Sequence, residues 1–168
     1  MTGTPKSRVL IHPESLPSVC FERIGEIAYR WTMIELYLQN ITWHILGLDF
    51  KRGRLLTYWP GHQAKINAFK ALPELWIDDE EIANRIKSIS KSVDSLRFRR
   101  NNVVHGLWGH EPESPDKLEL FEIHTPGDRV TPRAKPFAEN ELTNLAEKMK
   151  RVQDQLVCLN DDVGAPIP

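Results

Sequence analysis

At 168 residues the chain fits a single domain with a sizeable core, and neither a second domain nor an internal repeat is expected. A hydrophobic share of 40% and a charged share of 27% are ordinary for a globular protein, and a formal net charge of -1 excludes a global electrostatic grip on nucleic acid. Any phosphate binding must be local.

Basic residues gather as Lys51, Arg52 and Arg54 and again as Arg97, Arg99 and Arg100, which reads either as two solvated charge runs or as one basic patch on a neutral molecule. No apolar run reaches the length of a bilayer span, and Met1 to Ser15 lacks the apolar core of a secretion signal, so a cytoplasmic location with no membrane partner is expected. Cys20 and Cys158 are far apart and lack the close pairing of a redox or zinc motif, so both are expected to be reduced and buried.

Residues 1–17 carry three prolines and read as an N-terminal arm, and residues 161–168 read as a frayed C-terminal tail. Between them, residues 18–160 form one helical domain. The first helix is expected from Ser18 to Leu46, with Phe21, Ile24, Ile27, Ala28, Trp31, Ile34, Leu38, Ile41 and Ile45 on one face and Gly47 as its stop. A connection containing Asp49 to Arg54 leads to a shorter helix near Pro60 to Leu72, closed by Pro73. The third helix starts around Asp78, with Asp79, Glu80 and Glu81 at its positive end, and runs to His105 with Gly106 as its cap. From Leu107 to Pro136 the prolines, the Leu118 to Ile123 run and a Pro126-Gly127-Asp128 turn indicate a β-hairpin flap. The last helix, Ala138 to Asn160, carries Leu142, Leu145, Met149, Val152, Leu156 and Leu159 as a single stripe. The expected fold is all-α, an antiparallel four-helix bundle with a small hairpin inserted before the last helix.

The chemistry concentrates in Arg99-Arg100-Asn101-Asn102-Val103-Val104-His105-Gly106, where a guanidinium and an imidazole stand about one and a half turns apart. Such a pair can grip and cleave a phosphodiester without a metal. Advancing about 100° per residue, the buried stripe of the third helix passes through Ile82, Ile86, Ile89, Val93, Leu96, Val104 and Leu107. Arg100 lands at its centre, Arg97 at its edge, and Asn101 with His105 along one flank, while Arg99 points toward water. A second anomaly is Glu35, which with Thr42 interrupts the apolar stripe of the first helix. Pairing of Glu35 with Arg100 or Arg97 is the cheapest resolution of two core-facing charges. These residues read equally well as a buried ion pair with His105 capping its helix, or as a site.

The run from Arg100 to His105 resembles the motif of HEPN-domain proteins: an arginine, four to six residues, then a histidine, with a polar residue directly after the arginine. The helical layout and the placement of the motif late in a long helix are similar to HEPN-like bacterial proteins over residues 18–160. The resemblance implies a metal-independent endoribonuclease, acting as a homodimer with two motifs across one cleft, in toxin–antitoxin pairs or defence; it therefore implies an RNA substrate and, in the toxin case, an antitoxin partner. It also implies roles for individual residues. His105 would be general base or acid, Arg100 with Arg97 would bind phosphate, Asn101 would orient the imidazole, and Glu35 would hold the arginine. Cleavage would leave a 2′,3′-cyclic phosphate, and DNA would resist. Some members of the family only bind, which keeps open a non-catalytic dimeric bundle that takes RNA, nucleotide or a partner protein.

Arg99, Trp108 and His110 are further candidate RNA contacts, Trp108 through stacking and His110 as a near neighbour of the motif. Trp31 lies on the apolar stripe and reads as core, and Trp59 at a helix start is a more open case. His44, His62 and His124 share no metal-ligand spacing, and no phosphate-binding glycine loop or nucleophile elbow is present, so neither metal nor cofactor is expected.

Overall fold

The structure is a computed structural model that describes residues 9–10, 16–58, 60–111, 113–124 and 131–166. Five helices dominate it: α1 (Ser18–Ile45), α2 (Phe50–Thr57), α3 (His62–Leu75), α4 (Glu80–His105) and α5 (Glu139–Asp162). The hairpin expected before the last helix belongs to a four-stranded antiparallel sheet, β1 (Val9–Leu10), β2 (Leu107–Glu111), β3 (Ser114–His124) and β4 (Thr131–Pro136), in the order β1-β2-β3-β4. The all-α expectation is corrected to that extent. The strand β1 lies inside the segment read as an arm and pairs with β2, Val9 opposite His110 and Leu10 opposite Gly109. The Pro126-Gly127-Asp128 turn, Trp59 and the side chain of His124 lie outside the described residues.

The core forms where the stripes meet. Ile27, Trp31, Ile34, Leu38 and Ile41 of α1 are buried with Ile86, Ile89, Val93 and Leu96 of α4 and with all six stripe residues of α5. Burial of each large side chain contributes on the order of 2 kcal/mol. At the end of α4 the stripe shifts: Val103 is buried, Val104 only packs against the core, and Leu107 is exposed because the chain has already become a strand. Phe21, expected on the apolar face of α1, is likewise exposed.

The segment Asp49 to Arg54, expected as a connection, is instead the cap and first part of α2. Asp49 caps it by accepting the Arg52 N–H at 2.9 Å, and Gly53 lets it lie directly on Trp43, whose ring a Cβ would strike. This short helix reverses the chain and so changes the directions of α3, α4 and α5. Arg30 reaches Gln153 and Asn40 reaches Asn160, so the contacts advance together and α1 runs parallel to α5. Arg85 pairs with Asp162 and Arg99 with Glu141, so α4 opposes α5. Lys70 pairs with Asp94, and since only residues 76–79 join α3 to α4, those two helices also oppose each other. A strict up-and-down alternation of four helices would set α1 against α5; the extra reversal at α2 prevents it.

The C-terminal segment is docked, which corrects its reading as a frayed tail. Asn160 donates to the Ala165 carbonyl at 2.9 Å, Asn40 donates to the Pro166 carbonyl at 2.6 Å, and Ala165 is buried. Of the two thiols, Cys20 is buried as expected, but Cys158 is exposed because it faces away from the stripe of α5. No helix of the described residues is long and apolar enough to cross a membrane.

Candidate functional site

The last turn of α4 is forced into its shape by Gly106. A Cβ there would collide with the Asn102 carbonyl and come within 2.7 Å of Leu120 Cδ1, so only glycine lets the chain leave the helix straight into β2 against β3. The cap is extended, with φ -72° and ψ 158°, and its N–H still donates to the Asn102 carbonyl at 2.8 Å. His105 is thereby fixed at a helix end backed by the sheet, with its side chain exposed.

Arg100, half-buried one and a half turns earlier, donates from Nη1 to Asn101 Oδ1 at 3.1 Å and to His105 Nε2 at 3.1 Å. A guanidinium can only donate, so in this contact Nε2 of His105 is the acceptor. The Arg100 guanidinium carbon lies 6.0 Å from the Trp31 ring centroid, a cation–π contact. Burial lowers the Arg100 pKa from its ordinary value, with the negative charge of Glu35 acting in the opposite direction. Arg97 is half-buried one turn earlier, and the Nε atoms of both arginines are buried without a hydrogen-bond partner. Arg100 thus keeps one uncommitted donor while its Nη1 touches an exposed imidazole, and Arg97 keeps another farther back along α4.

Glu35 does not pair with either arginine, which corrects the expected ion pair. Its Oε1 accepts the Trp31 indole N–H and lies in close contact with His62 Nδ1. The physical reason is the direction of α3, whose first residue brings His62 to the carboxylate while the Trp31 ring stands between Glu35 and Arg100. The His62 ring sits edge-on to Trp31, with centroids 6.4 Å apart and planes at 76°. Sequence reasoning passed over His62 because it sought metal spacing alone. The available signal was the carboxylate on an apolar stripe, which had to find a donor, and a Trp one turn before it on the same face.

Arg99, Trp108 and His110 lie apart from this cluster of α1, α3 and α4 contacts. Arg99 approaches Glu141 of α5 at 3.8 Å and lines a cleft of about 330 Å³ with Phe98, Asn102, Leu120 and Phe137. Trp108 stacks edge-on against that same Phe137 at 4.8 Å and packs against the core. His110 is half-buried on β2. The structure therefore brings together Arg100, Asn101, His105, Trp31, Glu35 and His62 on one side of α4, and Arg99 with Trp108 on the other.

Among the described residues no three His, Cys, Asp or Glu side chains gather closely enough to hold a metal ion. Comparisons with protein-family models, with curated proteins and with solved structures found no match to this chain.

Proposed function

We propose that the protein is a metal-independent endoribonuclease of HEPN type, a helical bundle working as a homodimer, with Arg100 and His105 as its central pair. The observation that carries this reading is the 3.1 Å contact between Arg100 Nη1 and His105 Nε2 at an exposed helix end, together with the unpartnered Nε atoms of Arg100 and Arg97. A buried ion pair with Glu35 would have favoured a structural role for Arg100. Glu35 is instead engaged by Trp31 and His62, and the guanidinium keeps bonding capacity for an incoming anion.

A phosphodiester entering beside Arg100 competes for Nη1 and draws it away from His105. The freed Nε2 lone pair then removes the proton of the ribose 2′-hydroxyl, whose oxygen attacks phosphorus. Arg100, assisted by Arg97, carries the charge that develops on the phosphoryl oxygens. Asn101 holds the guanidinium in plane through its carbonyl oxygen. The products are a 2′,3′-cyclic phosphate and a 5′-hydroxyl end, and DNA is not cut because it lacks the attacking group.

Incubating the purified protein with end-labelled RNA in excess EDTA, beside a His105→Ala variant, tests this. The parent is expected to cut the RNA and His105→Ala to be slower by about 100-fold or more. Equal cleavage by the two proteins, or none by the parent, would refute the reading.

A further inference from the structure

His105 accounts for only one of the two proton transfers that the cleavage requires. Its Nε2 accepts from Arg100 and so carries no proton at the start, which suits the base and leaves the 5′-oxygen without a donor. Across Trp31 stands a second imidazole. His62 opens α3, with 49% of its side chain exposed, and directs Nδ1 at a Glu35 carboxylate that is only 11% exposed. A buried carboxylate on Nδ1 fixes the ring orientation and leaves Nε2, on the opposite ring edge, as the working nitrogen. The Trp31 indole connects the two halves, donating to Glu35 while lying 6.0 Å from the Arg100 guanidinium and 6.4 Å from the His62 ring.

Resting on the ribonuclease reading above, we infer that His62 is the general acid of the same site and Glu35 its positioning residue, so that one protomer supplies both acid and base. In the step, the 2′-hydroxyl proton passes to His105 Nε2 as the bond from the 2′-oxygen to phosphorus forms. The bond from phosphorus to the 5′-oxygen breaks, and that oxygen takes the Nε2 proton of His62, which reacts as the imidazolium with its Nδ1 proton held by Glu35. Solvent exchange then returns each imidazole to its starting form. The arrangement also explains why α1 keeps a carboxylate among apolar residues: without it the His62 ring has no fixed orientation.

The test uses two substrates that share the attacking group and differ in the leaving group: a uridylyl-adenosine dinucleotide, whose 5′-alkoxide must be protonated, and uridine 3′-(4-nitrophenyl phosphate), whose phenolate leaves unaided. His62→Gln is expected to lose about 100-fold or more on the dinucleotide and less than about five-fold on the nitrophenyl ester. Glu35→Gln, which keeps an acceptor for Trp31, should show a weaker form of the same split. His105→Ala should lose on both substrates. His62→Gln that cleaves the dinucleotide like the parent, or that loses equally on both substrates, would overturn the assignment while leaving the ribonuclease reading in place. A parent inactive on both substrates would overturn the reading itself, and this assignment with it. Because His62 is half-exposed on a first helical turn, a melting curve matching the parent's is expected for His62→Gln.

Discussion

Two polar clusters interrupt the buried face of α1, one around Asn40 and one around Glu35, and they are built on opposite terms. At Asn40 the side-chain amide donates to Asn160 Oδ1 at 2.8 Å and to the Pro166 carbonyl, while Asn160 donates to Ala165, so that no buried side-chain nitrogen or oxygen of either asparagine lacks a partner. This cluster is closed and ties the C-terminal segment to the helices. Near Glu35, one and a half turns earlier, Arg100 and Arg97 leave buried Nε atoms unpaired, a guanidinium rests on an aromatic ring, and two imidazoles reach solvent. A fully paired network serves folding, whereas a half-buried guanidinium with an unpaired Nε against an exposed imidazole is kept at a cost in stability and asks for a ligand.

That contrast can be broken by substitution. The largest effect is expected at the closed cluster: Asn160→Ala removes one of the two acceptors of the Asn40 amide and strands the Ala165 carbonyl, and should lower stability by about 2 kcal/mol, seen as a fall of roughly 6 °C in the melting temperature. RNA cleavage below the melting range should be unchanged. At the open cluster the sign reverses. A base that is harder to protonate when folded costs stability at every pH below its folded pKa, and Arg100 is such a base because of its burial. Arg100→Met keeps the stem, removes a buried unpaired donor, and should raise stability by about 1 kcal/mol, constant between pH 5 and 9 in denaturant melts. A loss above about 1 kcal/mol would place Arg100 with the structural residues.

The smallest effect belongs to an ordinary surface network. Glu26, bonded to Arg30 and Arg23 on α1, has its carboxyl pKa lowered by those two partners, Arg30 foremost. Its contribution is present above the ordinary value of 4.5 and is lost as pH falls through the lower folded value. Glu26→Gln should cost about 0.5 kcal/mol at pH 7, given its partial exposure, and the difference from the parent should close in melts carried out near pH 3.

Much of this contrast was legible in the residues themselves. Helical periodicity places Arg100, Asn101 and His105 without any tertiary information, since all three ride on one helix. It equally marks Glu35 as an interruption. The partner of Glu35 was not legible, because it depends on where α3 begins, and that depends on α2. The stretch from Phe50 to Thr57 has Lys51, Arg52, Gly53 and Arg54 in sequence and no apolar stripe of its own; its helix is held by the Asp49 cap and by the contact of Gly53 with Trp43. Strand β2 lies within the flap expected from Leu107 to Pro136, although only Leu118 to Ile123 reads as a strand by itself. Leu107-Trp108-Gly109-His110-Glu111 shows little alternation, and it is a strand because Leu107 and Trp108 pair with Phe121 and Leu120 across the sheet.

The central claim is that the open cluster trades stability for chemistry, and cleavage of labelled RNA in EDTA by Arg100→Met tests it most directly. The account predicts a protein at least as stable as the parent whose cleavage rate has fallen by about 100-fold or more. Parental cleavage by a folded Arg100→Met protein would contradict it.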